Sequence, residues 1–537
     1  MRTYSDTKCT VKSRFRSRKS TKQPLVHPLS PFVHHMKRQI FLNLLKIFTM
    51  NKLLLIFEAL ILVLCVSSCT GKRYGITRVA NPWPDDYSAV SDMTEWQKWG
   101  TYNVHDPAVI RVGDTYYMYS TDAIYRENHR KARESGVPLG YIQMRSSRDL
   151  VHWDFLGWAL AEIPSEAVEW VRTHANGHGA TNIWAPYPVA CPDGSFRLYF
   201  CVSAFGRNTS YIGLATAPSP AGPWTHVGPV VRTDTSSAMN AIDPSVITSG
   251  GRQYMHYGSY FGGLYCVELD PATGFPLRDG DQGHLVARRA NYRKDNLEAP
   301  EIIYNEDNGK YYLFGSYDPL MTTYNVRAGR SDSPDGPFVD FHGKQMADTT
   351  DNFPIITAPY RFGNHPGWVG TAHCGVFSDG EGRFFMAHQG RYASDPGMMD
   401  LHVRRVFFTP DGWPVVSPER YAGESDRHFR SRDLIGEWEI IRLHEPQAKR
   451  ELEAGQIRWG EGNLLTGEWC LPGTITLEKG GNWTFDENSQ LLSLSVDGEV
   501  IENLIIFAGH DWEQQTNTVL FTGLDADGRS VWGKRIR

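Results

Sequence analysis

The sequence lacks the short signatures of nucleotide and acyl-transfer chemistry: it has no G-x-x-x-x-G-K-[ST] loop, no G-x-S-x-G elbow and no convincing G-x-G-x-x-G. A nucleotide fold and a serine-hydrolase nucleophile are thereby disfavoured. Excess positive charge is missing too. The net charge is -5 and the pI about 6.4, so no basic field recommends nucleic acid, and neutral ligands fit better. Cysteines never pair as C-x-x-C. Cys191, Cys201, Cys266, Cys374 and Cys470 stand scattered, which suggests neither a zinc knuckle nor a disulfide framework but small buried apolar side chains. Helical periodicity is almost absent: PSEAVEWVRTH, residues 164–174, is the one persuasive helix. Strands with regular turns and no intervening helices mean an all-β chain rather than an α/β one.

What the chain has is length, turns and aromatic rings. Its 537 residues exceed one typical domain, which runs to roughly 150. Aromatics reach 12%, usual in β cores and in sugar binders, whose rings stack on sugar faces. From Met50 the chain reads MNKLLLIFEALILVLCVSSCTGK, the plan of a secretory signal and too short for a good membrane span. Val66-Ser67-Ser68-Cys69 resembles a bacterial lipobox, so the expected product is a secreted lipoprotein, periplasmic or on the outer surface, held to a membrane by a lipid on Cys69. Residues 1–49 hold eleven Lys or Arg against one acid, Asp6. They read as an upstream extension, with translation starting at Met50; a basic arm ahead of an uncleaved anchor is the alternative. Residues 70–96 read as a linker.

Internal repeats carry the fold. NVHDPAVIRVGDTYYMYSTD (103–122) recurs in altered form as WAPYPVACPDGSFRLYFCVS (184–203), DPSVITSGGRQYMHYGSY (243–260), APEIIYNEDNGKYYLFGSY (299–317) and AHCGVFSDGEGRFFMAHQG (372–390). Each copy is a short apolar strand, a glycine turn and a second strand of aromatic and aliphatic residues. Pro107, Pro186, Pro244 and Pro300 lie 79, 58 and 56 residues apart, room for about four strands and their loops, as a propeller blade needs. ATAPSPAGPWTHVG (215–228) and GRSDSPDGPFVDFHG (329–343) share S-P-x-G-P-aromatic and read as outer strands. The predicted architecture is a five-bladed β-propeller over 97–425. After about residue 428 the repeat stops, and alternating segments such as LLSLSVDGEVIENLIIFA (491–508) predict a small C-terminal antiparallel β-barrel domain over 430–537. Its Trp438, Trp469, Trp483, Trp512 and Trp532 read mostly as core, with sugar platforms as the other use.

The innermost strands of a propeller line a central channel, and their starts converge on one face. Two copies open on an aspartate before proline, Asp106-Pro107 and Asp243-Pro244; Glu298-Ala299-Pro300 puts a glutamate in the equivalent place, and Trp184-Ala185-Pro186 an aromatic. A single Asp-Pro is an ordinary turn opening. Three acids at repeat-equivalent positions are a shared site. Converging carboxyls suit glycosidic bond cleavage, where one is protonated for the leaving oxygen and another stays ionised, while a third holds the donor's pKa up by like-charge repulsion. Glu301 is a rival for the acid, but strand alternation turns it to the other face.

NVHDPAVI, NIWAPYP, NAIDPSVI, LEAPEIIY and GTAHCGVF resemble, in order over roughly 97–420, the blade motifs of glycoside hydrolase family 43, and are most similar to those of its endo-α-1,5-L-arabinanases. The tail from about 430 resembles the β-barrel appended to the two-domain arabinanases. The resemblance implies an inverting enzyme in which Asp106 is the general base, Glu298 the general acid and Asp243 the residue that orients the acid and raises its pKa. Trp184 would stack on a sugar ring and His105 support Asp106. His373 matches the histidine that faces a hydrated metal, usually calcium, in the channel, although the family's His-Asn-Ser reads His373-Cys374-Gly375 here. The implied substrate is arabinan or arabino-oligosaccharides, cut internally. An exo-acting α-L-arabinofuranosidase or β-xylosidase on the same fold is the first alternative, and a non-catalytic glycan-binding lipoprotein the second.

Overall fold

The computed structural model describes residues 85, 87–123, 133–289, 296–348, 351–444 and 472–536. The expected extension, signal and lipobox lie outside them, as do Trp469 and Cys470. The repeated hairpins form as their turns dictate. β1 (His105–Val112) and β2 (Thr115–Thr121) pair antiparallel around Gly113-Asp114, where Gly113 supplies the positive φ of +60° that so tight a turn requires. β3 (Tyr141–Ser147) and β4 (Asp154–Leu160) complete blade 1. α1 (Ser165–His174) follows where the helix is predicted, and buries Ala167 and Val171.

Blade 2 is β5 (Trp184–Ala190), β6 (Phe196–Ser203), β7 (Ser210–Ala217) and β8 (Thr225–Thr233); blade 3 is β9 (Ser245–Ser249), β10 (Arg252–Ser259), β11 (Gly263–Leu269) and β12 (His284–Ala287). Blade 4 is β13 (Leu297–Asn305), β14 (Lys310–Tyr317), β15 (Asn325–Ser331) and β16 (Ile355–Thr357). Blade 5 contains β17 (Trp368–Val369), β18 (Cys374–Ser378), β19 (Phe384–Tyr392), β20 (Asp395–Phe408) and β21 (Pro414–Val416). The chain is thus a five-bladed propeller in which sequence neighbours pair within each blade, except that β17 and β18 both pair β19. Residues just before β1 join the last blade to the first: the Asn103 amide donates to Met399 O (3.1 Å) and the Leu401 amide to Thr101 O (3.0 Å).

One outer strand departs from the sequence reading. In blade 4 the chain after Gly336-Pro337 makes only isolated bridges from Val339 to Arg330 and Gln345, and β16 takes the outer position. The Asp340 carboxylate accepts from the His342 and Lys344 amides, an Asx turn that folds the chain back before a strand can extend.

The C-terminal domain begins at α2 (Ser431–Leu434) and contains β22 (Gly436–Arg442), β23 (Gly473–Leu477), β24 (Trp483–Asp486), β25 (Leu491–Val496), β26 (Glu499–Asp511), β27 (Thr516–Leu524) and β28 (Ser530–Arg535). They form one curled antiparallel half-barrel in the order β23-β22-β28-β27-β26-β25-β24. Asp497-Gly498 joins β25 to β26 with φ of +52° and +85°, the double positive φ of a type I′ hairpin. Trp438 and Trp532 are fully buried, so both are core. Ile441, Leu443 and Trp532 pack into the same apolar cluster as Tyr360, Phe362 and Trp368 of the propeller. Beside that seam the Lys534 ammonium lies 2.8 Å from Glu419 and 3.1 Å from Asp511. A shared apolar core and a buried ion cluster hold the two domains together.

Candidate active site

The residue before each inner-strand proline has a left-handed backbone: φ is +50° at Asp106, +41° at Ala185, +55° at Asp243 and +55° at Ala299. Such values are uncommon for residues with side chains, so their recurrence marks the same local turn in four blades. The strand register shifts there, between His105 and Ala108, Trp184 and Tyr187, and Glu298 and Glu301, as at a bulge. This turn corrects the expected equivalence of the acids. Asp106 and Asp243 align with Ala185 and Ala299, whereas Glu298 stands one residue earlier, with His105, Trp184 and Ile242. The proline is the fixed point, and Glu298 precedes it by two.

The same turn overturns the alternation argument for Glu301. With the register broken, Glu298 lines the mouth while Glu301, 3% exposed, meets the other blades below it. It accepts from the hydroxyls of Ser245 (3.1 Å) and Tyr187 (3.4 Å). Burial pushes its pKa from 4.5 up to about 8, so the fold keeps a proton that the unfolded chain has lost. Stability is therefore lost as pH rises from about 4.5 to about 8. Glu301→Gln cannot ionise, and its Tm is expected to fall less steeply than wild type over that range in calorimetry at stepped pH.

A cavity of about 610 Å³ opens over the strand starts, and Asp106, Asp243, Glu298, Trp184, His105 and His373 all line it. Asp106 is the most engaged of them. Its Oδ2 accepts from the Thr121 hydroxyl (2.7 Å) and lies 2.8 Å from His105 Nδ1, its Oδ1 lies 3.3 Å from His373 Nδ1, and its amide donates to Gln389 Oε1 (3.0 Å). Burial works to raise the Asp106 pKa, yet the adjoining imidazoles outweigh it and hold the carboxyl well below the usual range. Burial also keeps His105 below its ordinary value, hence neutral. His373 carries the compensating charge: against its own burial, Asp106, Asp243 and Glu298 push it up to about 9.

The other two carboxyls go the opposite way. Burial pushes Glu298 up to about 7, with Asp106 adding to the rise and the Tyr324 hydroxyl, which donates to Glu298 Oε1 at 2.7 Å, working against it. Asp243 is raised well above its ordinary value by burial and by repulsion from Glu298 and Asp106, partly offset by His373. One cavity therefore holds an ionised carboxylate beside carboxylic acids, the pairing that acid and base catalysis of glycoside cleavage needs.

Residues 100–414 match the model of glycosyl hydrolases family 43. The chain belongs to this family. It is a glycoside hydrolase, and its residues 418–533 match a C-terminal lipocalin-like domain. Over 480 residues it is 28% identical to the extracellular endo-alpha-(1->5)-L-arabinanase of Thermotoga petrophila, covering 81% of this chain and 93% of the relative. It is 30% identical over 333 residues to the extracellular exo-alpha-(1->5)-L-arabinofuranosidase of Cellvibrio japonicus, covering 58% of this chain and 86% of the relative. The solved structure of endo-1,5-alpha-L-arabinanase from Thermotoga petrophila, 25% identical, matches with a TM-score of 0.65 over 81% of this chain and 99% of its own.

In this family 43 protein several residues that position the carboxyls escape sequence reading. Thr121 closes the first hairpin opposite His105; its hydroxyl donates to Asp106 while accepting from the Ala185 amide (2.8 Å), which ties blade 1 to the turn of blade 2. Its signal was the small polar end of TYYMYST. Tyr324 lies in no repeated hairpin, whereas Gln389 stands, like Thr121, at the polar end of a repeat copy. Phe205, 87% exposed, stands edge-on to Trp184 with ring centres 6.3 Å apart and extends the aromatic rim.

The family resemblance also implies a metal near His373. There the imidazole, once it has given up its proton, offers one nitrogen while Nδ1 faces Asp106, and the neighbouring Cys374 and Gly375 bring no side-chain oxygen. Such a donor set fits a water-clad ion held at one point and does not fit a caged calcium, which takes six to eight oxygens. Among the described residues the one group of three carboxylates near enough to one another to share an ion is Glu419, Asp511 and Glu513 in the domain seam, where the Lys534 ammonium already lies.

Proposed function

We propose that this protein hydrolyses internal α-1,5-L-arabinofuranosidic bonds of arabinan with inversion of configuration. The observation that carries the reading is the split between two carboxyls of one cavity, Asp106 held ionised and Glu298 held protonated up to about pH 7. Glu298 gives its proton to the leaving glycosidic oxygen. Asp106 takes a proton from the water that attacks the anomeric carbon on the opposite face, a geometry that sets inverting carboxyls roughly 6.5–9.5 Å apart. Asp243 orients Glu298, and whenever Asp243 ionises its charge makes Glu298 hold its proton more tightly. His105 and Thr121 hold Asp106, and Trp184 offers its ring to a furanose face.

Endo action is supported by the Thermotoga petrophila relative, which is matched across 93% of its length. Exo action is the second reading, favoured by the exo-acting relative from Cellvibrio japonicus. Linear arabinan decides between them: long and intermediate products first mean endo cleavage, arabinose alone from the first minutes means exo cleavage, and binding without cleavage refutes both. Proton NMR of the first product checks inversion, since an α product would exclude it.

The pH profile tests the acid. Tyr324 stabilises ionised Glu298, so Tyr324→Phe is expected to raise the Glu298 pKa and carry the alkaline limb of kcat/KM above its wild-type position near pH 7. A limb that stays in place would assign it to another group. A hydrated calcium ion, held through water by His373 in its neutral form, would supply positive charge near the carboxyls in place of the imidazolium; metal analysis of the purified protein before and after chelation tests it. Export as a lipoprotein anchored through Cys69 completes the proposal, and membrane fractionation of Cys69→Ser tests the anchor.

A further inference from the structure

Neighbouring residues of β20 open on two cavities. Met399 lines the catalytic one, while Asp400 and Leu401 line a second of about 240 Å³ at the seam between propeller and C-terminal domain. Its aromatic walls are Trp153 from the β3–β4 connection, Tyr421, and Trp512 from the C-terminal domain. Trp512 is fixed in place: its Nε1 donates to Arg420 O (2.8 Å), and the Arg420 guanidinium lies 4.5 Å from its ring centre.

The polar side of this cavity is a buried carboxylate with hydroxyls against it. Asp400, 2% exposed, accepts at Oδ2 from Arg420 (3.0 Å), and the Tyr87 and Thr101 hydroxyls, bonded to each other at 2.8 Å, stand against the same carboxylate. Whichever hydroxyl donates within that pair, the other keeps a proton that the carboxylate or a ligand oxygen can take. Nothing here attracts an anion, because Arg420 is shared between Asp400 and Asp85 and the rim residue Lys98 pairs with Glu95. Aromatic walls around a carboxylate and two hydroxyls, without net positive charge, suit a neutral polyhydroxylated ring. The volume is below the roughly 300–1,000 Å³ of pockets that enclose a whole ligand, so it suits a single ring of a longer chain.

We propose that this seam is a second sugar-binding site, which holds another stretch of the same polysaccharide and to which the C-terminal domain contributes Trp512. The inference rests on the arabinan reading above. Its role is tethering. A polymer gripped at the seam presents its other residues to the catalytic cleft at raised effective concentration, an advantage that a short oligosaccharide cannot share.

The test uses the full chain in native gels containing linear arabinan, with Glu298→Gln as the background so that the polymer stays uncut. Adding Trp512→Ala is expected to weaken retardation about tenfold. In the otherwise wild-type enzyme the same change should lower kcat/KM on the polymer and leave that on arabinotriose within about twofold. Unchanged retardation, or equal losses on polymer and trisaccharide, overturns the proposal. Should Trp512→Ala fail to fold, Asp400→Asn, which keeps the side-chain shape and loses the carboxylate, decides by the same measure. Arabinan cleavage with retardation independent of Trp512 refutes the seam site alone; Trp512-dependent retardation without cleavage by the wild-type enzyme refutes the hydrolase reading and keeps the site.

Discussion

Glu298→Gln is expected to lower kcat/KM on linear arabinan by about a thousandfold to ten-thousandfold, the upper range for loss of a general acid. Binding of oligosaccharide and Tm should stay close to wild type. Glutamine keeps the volume of the side chain and an oxygen that can accept from Tyr324, so the 2.7 Å contact survives the change. What disappears is the proton that the cavity retains up to about pH 7. The loss should depend on the leaving group. An aryl arabinofuranoside, whose phenolate departs with little protonation, is expected to suffer much less than arabinan, and kinetics on both substrates read the difference. A loss below about tenfold on arabinan would show that another group supplies the proton. Glu301 is the first residue to examine in that event, because it too is buried and protonated at neutral pH.

Asp106→Asn is expected to cost about a thousandfold in kcat, again within the range for general base catalysis, with KM little changed. The substitution also leaves an electrostatic trace. Asp106 helps to raise His373 to about 9 and helps to raise Glu298, so its neutralisation should move the residual alkaline limb to lower pH. An added small anion such as azide, which needs no base, can take the place of the water and attack the anomeric carbon. Partial rescue with an azide-substituted, inverted product would identify Asp106 as the base, whereas activity retained without any anion would refute the assignment. The fold should persist, since Thr121, Gln389 and the turn at φ +50° remain to hold the strand start.

Much of the architecture was legible because it is local. A strand of period two, a glycine turn and an aromatic strand, written five times, allow little besides five hairpins, and β1–β2, β5–β6, β9–β10, β13–β14 and β18–β19 fall on the five copies. The acids were legible for the same reason, being tied to prolines that mark each strand start. The reading failed where a backbone turn intervened. A left-handed residue before proline broke the alternation on which the placement of Glu301 depended, and an Asx turn at Asp340 displaced an outer strand.

The amino-acid sequence by itself determined the five blades, the appended β domain and the identity of the three carboxyls, because propensity, period and turn chemistry act over a few residues. Only the tertiary structure decided what those carboxyls are. Asp106 is ionised because His105 precedes it in sequence and His373 approaches from blade 5, and Glu298 is protonated because burial removes water and blade 1 brings the charge of Asp106 close. Charge and dielectric depend on distance in space, and that distance is set by closing the ring of blades.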